Sequence, residues 1–370
     1  MSTSDRHLHI ISFDVPFPAN YGGVIDVFYK LKALFEKGIK IHLHCFHYGR
    51  EQASSLNRFC ESIHYYQRNV AKSQLFMKQP YIVISRTSEN LIQNLLKDDH
   101  PILFEGLHTC NILADERLQH RVKIVRTHNV EHDYYQNLAK VESNIFKRYY
   151  FYNEASKLES FESVLQHAQI IAAISRNDTA HFDQKYGNAF YIPAFHSNEQ
   201  VHIIPGKGQF AFYHGNLAIG ENNEAALYLV NEVFSQMKLP LIIAGSRPGS
   251  DLRNAVAKKN HITLIADLTT KQIHQLISDA HINVLPTFQP TGIKLKLLSA
   301  LYNGRFALVN PMMVENTGLE NLCEIAATPS QMRVRAAELM EMDFRNSDIK
   351  TREKILNENF SNSVNAQKLA

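Results

Sequence analysis

A chain of 370 residues with a formal net charge of +3 has room for two domains at roughly 100–200 residues each. The charge is small and spread out, and no run of five like charges occurs, which argues against a nucleic-acid-binding arm or an acidic tail. No segment approaches the ~20 consecutive apolar residues that span a bilayer. The amino-terminal stretch MSTSDRHLHIISFDVP lacks the long apolar core of a secretion signal. Cys45, Cys60, Cys110 and Cys323 form no CxxC pair, so buried, reduced thiols are expected. No HExxH motif organises the 19 histidines, and no metal site is expected. The location these features suggest is cytoplasmic, extending to the inner face of a membrane.

In chain order, short apolar runs alternate with longer amphipathic ones, the pattern of βα units and parallel sheets. Strands are expected at residues 9–13, 40–46, 63–66, 102–105, 122–126, 169–174 and 189–192, with helices at 24–36, 89–97 and 176–186. A long helical stretch covers 131–167, with a break near Ser143-Asn144. Pro205-Gly206-Lys207-Gly208 reads as a linker. After it come strands at 209–213, 241–244, 262–265, 282–285, 306–309 and 324–326, and helices at 223–237, 249–258, 270–279 and 293–302. The expected fold is α/β, with two doubly wound Rossmann-like domains. Residues 1–205 form the first and 206–350 the second, and a helix at 351–370 crosses back towards the first.

The stretch VLPTFQPTGIKLKLLSALYNGRFALVN (284–310) carries the most chemistry. A strand runs into a loop with Pro290 and Gly292, and an amphipathic helix begins near Ile293. The first turn of a helix has N–H groups without intrahelical partners, which makes an anion site. Lys294 and Lys296 work against the helix dipole there, so a diphosphate would explain them. Residues two apart point roughly 200° apart on a helix. Lys294 is therefore the expected phosphate contact, and Lys296 is expected to face solvent or the other domain. Thr291 and Gly292 are the expected N-cap and N–H donors.

The motifs PFPANYGG (16–23), VRTHNVEHDYY (125–135), ISRND (174–178), FYHGNLAIGENNEAA (212–226), IAGSRPG (243–249) and PTGIKLKLLSALYNGRFALV (290–309) together resemble the GT-B glycosyltransferases. Among these the match is to family 4, whose members are retaining and use nucleotide sugars. The resemblance spans nearly the whole chain. It implies two domains facing a cleft, with a nucleotide-sugar donor held mostly by the second. It also implies that Gly22 and Gly23 line the sugar-diphosphate from a loop. His128, just beyond a strand, would contact the donor sugar, with Asn129 and His132 competing for the role. Arg126 is a secondary candidate that would reach a phosphate or pair with Glu131. Gly215 and Asn216 follow the first strand of the second domain. Relatives place a positive charge there, where this chain has Asn216, and Arg247 is the candidate to compensate. Asp267 and Leu268 would hold the base through backbone groups. Ile293 completes the donor loop. Relatives carry two glutamates eight positions apart, at positions held here by Thr291 and Ser299. A serine cannot accept two ribose hydroxyls as a carboxylate does.

The expected activity is transfer of a hexose-type sugar from a UDP- or GDP-sugar to a hydroxyl acceptor, with retention. The acceptor implied is a surface glycan or a lipid-linked precursor, and neither a metal nor a further cofactor is required. Two alternatives stay open: a GT-B scaffold or binding protein that has lost turnover, and a nucleotide-sugar epimerase. The basic and aromatic stretch 144–161 is expected to pack its aromatics in the core. Its alternative is a peripheral membrane contact that presents a lipid-linked acceptor.

Overall fold

The computed structural model describes residues 5–142, 144–288 and 294–370. The chain divides into two compact units. The first takes residues 5–197 and returns for 359–370, and the second takes the described residues of 198–358.

The first unit runs β1 (Arg6–Ser12), α1 (Gly22–Glu36), β2 (Ile39–His47), β3 (Ser62–Gln67), α2 (Tyr81–Ile84), α3 (Glu89–Leu95), β4 (Ile102–Glu105), β5 (Lys123–Thr127), α4 (Glu131–Val141), α5 (Ile145–Phe161), β6 (Ile170–Ala173), α6 (Arg176–Tyr186) and β7 (Ala189–Tyr191). Its strands lie in the order β3-β2-β1-β4-β5-β6-β7, all parallel. The second unit runs β8 (Ala211–His214), α7 (Gly220–Tyr228), β9 (Leu241–Gly245), α8 (Ser250–Val256), β10 (Ile262–Ala266), α9 (Thr270–Asp279), β11 (Ile282–Val284), α10 (Leu295–Asn303), β12 (Phe306–Val309), α11 (Pro311–Val314), β13 (Glu324–Ile325), α12 (Pro329–Glu341) and α13 (Asn346–Asn359). Its order is β10-β9-β8-β11-β12-β13, again all parallel. The last helix, α14 (Asn362–Leu369), packs on α1. Asn362 brackets His196 there, accepting from its N–H (3.1 Å) and donating to its carbonyl (2.7 Å).

The central strands β4, β5, β11 and β12 are buried along their whole length, and β4 and β12 are nearly continuous apolar runs. Local signals set the helix limits. Ser175 Oγ accepts from the Asp178 N–H at the start of α6, and left-handed Gly187 ends it. Thr269 with Gln272, and Thr328 with Gln331, form capping boxes. The break in the long helical stretch falls between Val141 and Ile145, where Asn144 caps α5; Ser143 itself lies outside the described residues.

Strand order reverses beside β1 in the first sheet and beside β8 in the second. In an open parallel sheet, ligands bind beyond the carboxyl ends of the strands at such a switch point. The loops after β1, β4 and β5, and those after β8, β9 and β11, are therefore where chemistry is expected in each unit.

The structure corrects three expectations of local structure. Gly22 and Gly23 are the first residues of α1, with Tyr21 as N-cap, rather than a loop. A methyl group on Gly23 would lie 2.6 Å from the Phe13 ring, so close packing against β1 accounts for that glycine. Second, α5 buries its aromatics only in part: Phe161 packs against the core cluster, while others point to solvent. Phe146 and Tyr149 are 83% and 75% exposed, and its buried residues are Glu154, Ala155 and Leu158. Third, the N-cap of α10 is Lys294 rather than Thr291. Thr291, Gly292 and Ile293, with Pro290, lie outside the described residues.

Candidate functional site

In the second unit, polar groups gather beyond β8, β9 and β11. Gly245, at the end of β9, has no room for a side chain: a Cβ there would overlap the Gly215 carbonyl oxygen. That close approach brings Gly215-Asn216 against Ser246, whose hydroxyl donates to Asn216 Oδ1 (3.0 Å). Asn222, in the first turn of α7, donates to the Asn216 carbonyl (3.1 Å). Its Oδ1 accepts from Lys296 Nζ (2.6 Å). The Lys296 ammonium also sits 5.3 Å from the centre of the Tyr213 ring. Lys296 thus turns back towards β8 and α7, and the solvent-facing role expected for it is corrected. Burial lowers its pKa to about 8; Lys294 adds to the fall and Glu221 opposes it. Among the described residues, no carboxylate lies within ion-pair distance of its Nζ. Glu221 instead accepts from Thr287 Oγ1 (2.9 Å), and Asn310 clamps the Thr287 backbone through both its N–H (3.0 Å) and its carbonyl (2.6 Å).

The remaining expected donor residues sit around the same strand ends. Lys294 is the N-cap of α10. Arg247 and Asp267 follow β9 and β10, and both hold left-handed backbone, with φ of 49° and 55°. That conformation costs a non-glycine residue of order 1–3 kcal/mol, and strain of this kind clusters at ligand sites. Leu268 packs partly buried against the cluster of Phe212, Ala244, Ile277 and Ala280. Ser299 Oγ is enclosed without a hydrogen-bond partner among the described residues. His214 Nε2 is likewise unpartnered, and burial, with Lys296 nearby, pushes that imidazole down to about 3.

In the first unit, His128 follows β5 but is not a free imidazole. Its Nε2 lies 3.2 Å from Glu105 Oε2, and the Phe13 ring meets it edge-on. It belongs to a fully buried network. Lys30 Nζ donates to both Glu105 oxygens (2.6 and 2.8 Å) and to Asp26 Oδ2 (2.9 Å). Arg126 donates to Asp26 through Nη2 (2.9 Å) and Nε (3.2 Å). Arg126 therefore pairs with Asp26 and not with Glu131, correcting that expectation. Burial alone would raise the Asp26 carboxyl; Arg126 and Lys30 outweigh it and hold it far below the ordinary range. The chain's HxxxH spacing, His128 to His132, does not converge, because His132 Nδ1 turns to Glu162 (3.3 Å).

Beside His128 lies a second set of enclosed polar atoms. Thr127 Oγ1, Asn129 Oδ1, His108 Nδ1 and Glu131 Oε1 have no hydrogen-bond partner among the described residues, and the last two are 3.8 Å apart. Burial, reinforced by the Asp178 charge, raises Glu131 to about 8 against the pull of Asn129 and Arg86. Buried polar atoms of this kind imply water or ligand partners.

Sequence reasoning missed Asp26, Lys30, Glu105, His108, Glu221, Asn222, Thr287 and Asn310. A signal existed for Lys30: it stands three residues after Val27 and four before Leu34, within the apolar stripe of α1. Asn222 lies inside the motif FYHGNLAIGENNEAA, but its partner Lys296 is 74 residues away.

Two all-parallel α/β units, each with a switch point, give this chain the GT-B fold, and comparison with solved structures shows the same. TarM superimposes with a TM-score of 0.68 over 98% of both chains, at 9% identity. A Rickettsia africae glycosyltransferase gives 0.66 over 99% of this chain and 97% of that one, at 12% identity. Anabaena HepE in complex with UDP-glucose gives 0.64 over 98% of both, at 10% identity. No family model matches the sequence. Among curated proteins, an uncharacterized 44.6 kDa protein in the cps region of Klebsiella pneumoniae is 26% identical over 328 residues, 84% of each chain.

Proposed function

We propose that the protein is a retaining glycosyltransferase that moves a hexose-type sugar from a UDP- or GDP-sugar to a hydroxyl acceptor. The observation that carries this reading is Lys296, a largely enclosed cation without a carboxylate partner among the described residues, placed at the switch point of the second sheet. A diphosphate supplies the missing charge. In this reading the second unit binds the donor. Lys296, Lys294 and the first-turn N–H groups of α10 take the diphosphate, assisted by Arg247. Gly215 and Asn216 line it, backbone groups at Asp267 and Leu268 hold the base, and Ser299 takes a ribose hydroxyl. Thr291 and Ser299 stand where relatives carry glutamates, so the pyrophosphate contacts carry more of the binding.

The first unit supplies the sugar-side groups. Glu105 engages His128 Nε2 and leaves Nδ1 to meet a hydroxyl of the transferring sugar. Retention follows if the departing phosphate itself accepts the acceptor's proton on the face it leaves. Catalysis then rests on positioning and on stabilising leaving-group charge. The UDP-glucose complex of HepE, which shares this fold, supports a nucleotide-sugar donor; the glycan or lipid-linked acceptor is proposed from the sequence resemblance.

Calorimetry with UDP and GDP, followed by a donor-hydrolysis screen of UDP- and GDP-sugars, tests the reading. Replacing Lys296 or Lys294 by Ala should lower kcat/KM by at least ~100-fold, the scale of one preorganised charge donor. NMR of the first-formed product reads the anomeric outcome. A protein that binds neither nucleotide and cleaves no donor refutes the assignment.

A further inference from the structure

Towards the amino ends of strands in the first sheet, away from that sheet's switch-point loops, six histidines lie on or beside neighbouring strands. His7 and His9 lie on β1, His42 and His44 on β2, and His64 on β3; His100 lies just before β4. They form two layers. The inner one is a closed chain: Asp98 bonds His9 Nε2 (2.9 Å), His9 Nδ1 bonds His44 Nε2 (2.9 Å), and His44 Nδ1 bonds the Tyr66 hydroxyl (2.8 Å). Every nitrogen of that chain is used. The outer layer is different. His7, His42 and His100 stack with ring planes 6–11° apart, and one ring nitrogen from each lies within 4.8 Å of the others.

We propose that His7, His42 and His100 form a binding site for a first-row divalent cation of the zinc type. Imidazole suits such ions, and three histidines with a water complete a tetrahedral shell. His42 already has the arrangement of a metal ligand. Its Nδ1 bonds Ser62 Oγ (2.9 Å), which directs Nε2 at His7 Nδ1, 2.9 Å away. A ligating histidine is ordinarily fixed by such a bond from its other nitrogen. Zn–N bonds of about 2.0–2.1 Å set ligand nitrogens roughly 3.4 Å apart, so the His7–His42 pair opens slightly and His100 swings in. The three rings are half-buried, which leaves an entry path. On binding, the hydrogen bond between His7 and His42 is exchanged for two metal bonds. His7 moves its proton to Nε2, and no net proton is released from the neutral rings.

Among the described residues, two other groups of histidines and carboxylates are close enough to hold an ion, but each already contains a protein cation. Lys185 lies 2.6 Å from Glu162 in the His132–Glu162–His181 group, and Lys30 and Arg126 occupy the Asp26–Glu105–His128 group. The outer histidine layer instead offers three imidazoles and an orienting hydroxyl. Its role would be structural, clipping β1 and β2 to the segment before β4, at the end of the sheet opposite the proposed chemistry.

The test is calorimetric titration of the chelator-treated full chain with Zn2+, together with the visible spectrum on adding Co2+. One saturable equivalent is expected, with the intense absorption of a tetrahedral Co2+ site. His100→Asn, a substitution in a half-buried loop position, should weaken binding at least ~10-fold, and His42→Ala more so, with circular dichroism confirming that each variant is folded. His181→Asn should leave the affinity unchanged. Absence of a saturable equivalent, equal affinity in folded His100→Asn, or loss of the site in His181→Asn overturns the proposal.

Discussion

Removing the Asp26 carboxylate should be among the most damaging single changes in the first unit. It accepts four hydrogen bonds, from Arg126 Nη2 and Nε, Lys30 Nζ and the Phe195 N–H (2.8 Å), and all of its partners are buried. With Glu105 it balances two buried cations, two charges against two. Asp26→Ala leaves one carboxylate facing both Lys30 and Arg126, so a full positive charge is stranded away from water. Breaking a buried pair in this way costs about 3–5 kcal/mol. In a unit of this size that corresponds to a fall in Tm of roughly 6–20 °C. Urea unfolding followed by circular dichroism measures the loss. The double variant Asp26→Asn/Lys30→Met restores the balance of charge in nearly the same volume, and should recover more than half of it. A stability of Asp26→Ala within about 1 kcal/mol of wild type would show that the network is hydrated rather than buried, and the reasoning would fail.

Two further outcomes follow from the structure. The folded-state pKa of Glu131, about 8, lies above its ordinary 4.5. The stabilisation from its bound proton is therefore complete below about 4.5 and is lost as pH rises through about 8. Glu131→Gln should flatten the fall in unfolding free energy across that window, and an unchanged slope would count against a protonated, enclosed Glu131. Gly245→Ala should cost about 1–3 kcal/mol, because a methyl group there meets the Gly215 carbonyl. Gly220→Ala, with nothing within 4 Å of the new methyl, should be neutral or stabilising by up to ~1 kcal/mol; equal urea midpoints for the two variants would contradict the close approach.

The architecture was legible because both sheets are wholly parallel and their central strands are buried on both faces. Strands such as Ile102–Glu105 and Phe306–Val309 then stand out as unbroken apolar runs between glycine- and polar-rich turns. The groups that define each candidate site were less so. Asp26 on α1, Glu105 on β4 and Arg126 on β5 meet only once α1 and the sheet are assembled, and no local spacing relates positions so far apart. The direction of Lys296 depended on where α10 begins. Counting from Ile293 turned its side chain outward, whereas a helix that begins at Leu295 brings Lys296 onto Asn222. The exposed rings of α5, Phe146 and Tyr149, ran against composition, since a segment with nine apolar or aromatic residues among 17 was expected to hide them, and its fully buried residues are instead Glu154, Ala155 and Leu158.

The return of residues 359–370 to the first unit has a consequence for biosynthesis. On the ribosome, β1 and α1 emerge early, yet α14, which covers part of α1, is translated only after the whole second unit. Until then Ala366 and Leu369 are missing from the apolar cluster they share with Val27 and Leu31. The half made first must therefore wait, incompletely covered, while the half made later can already close around its own sheet.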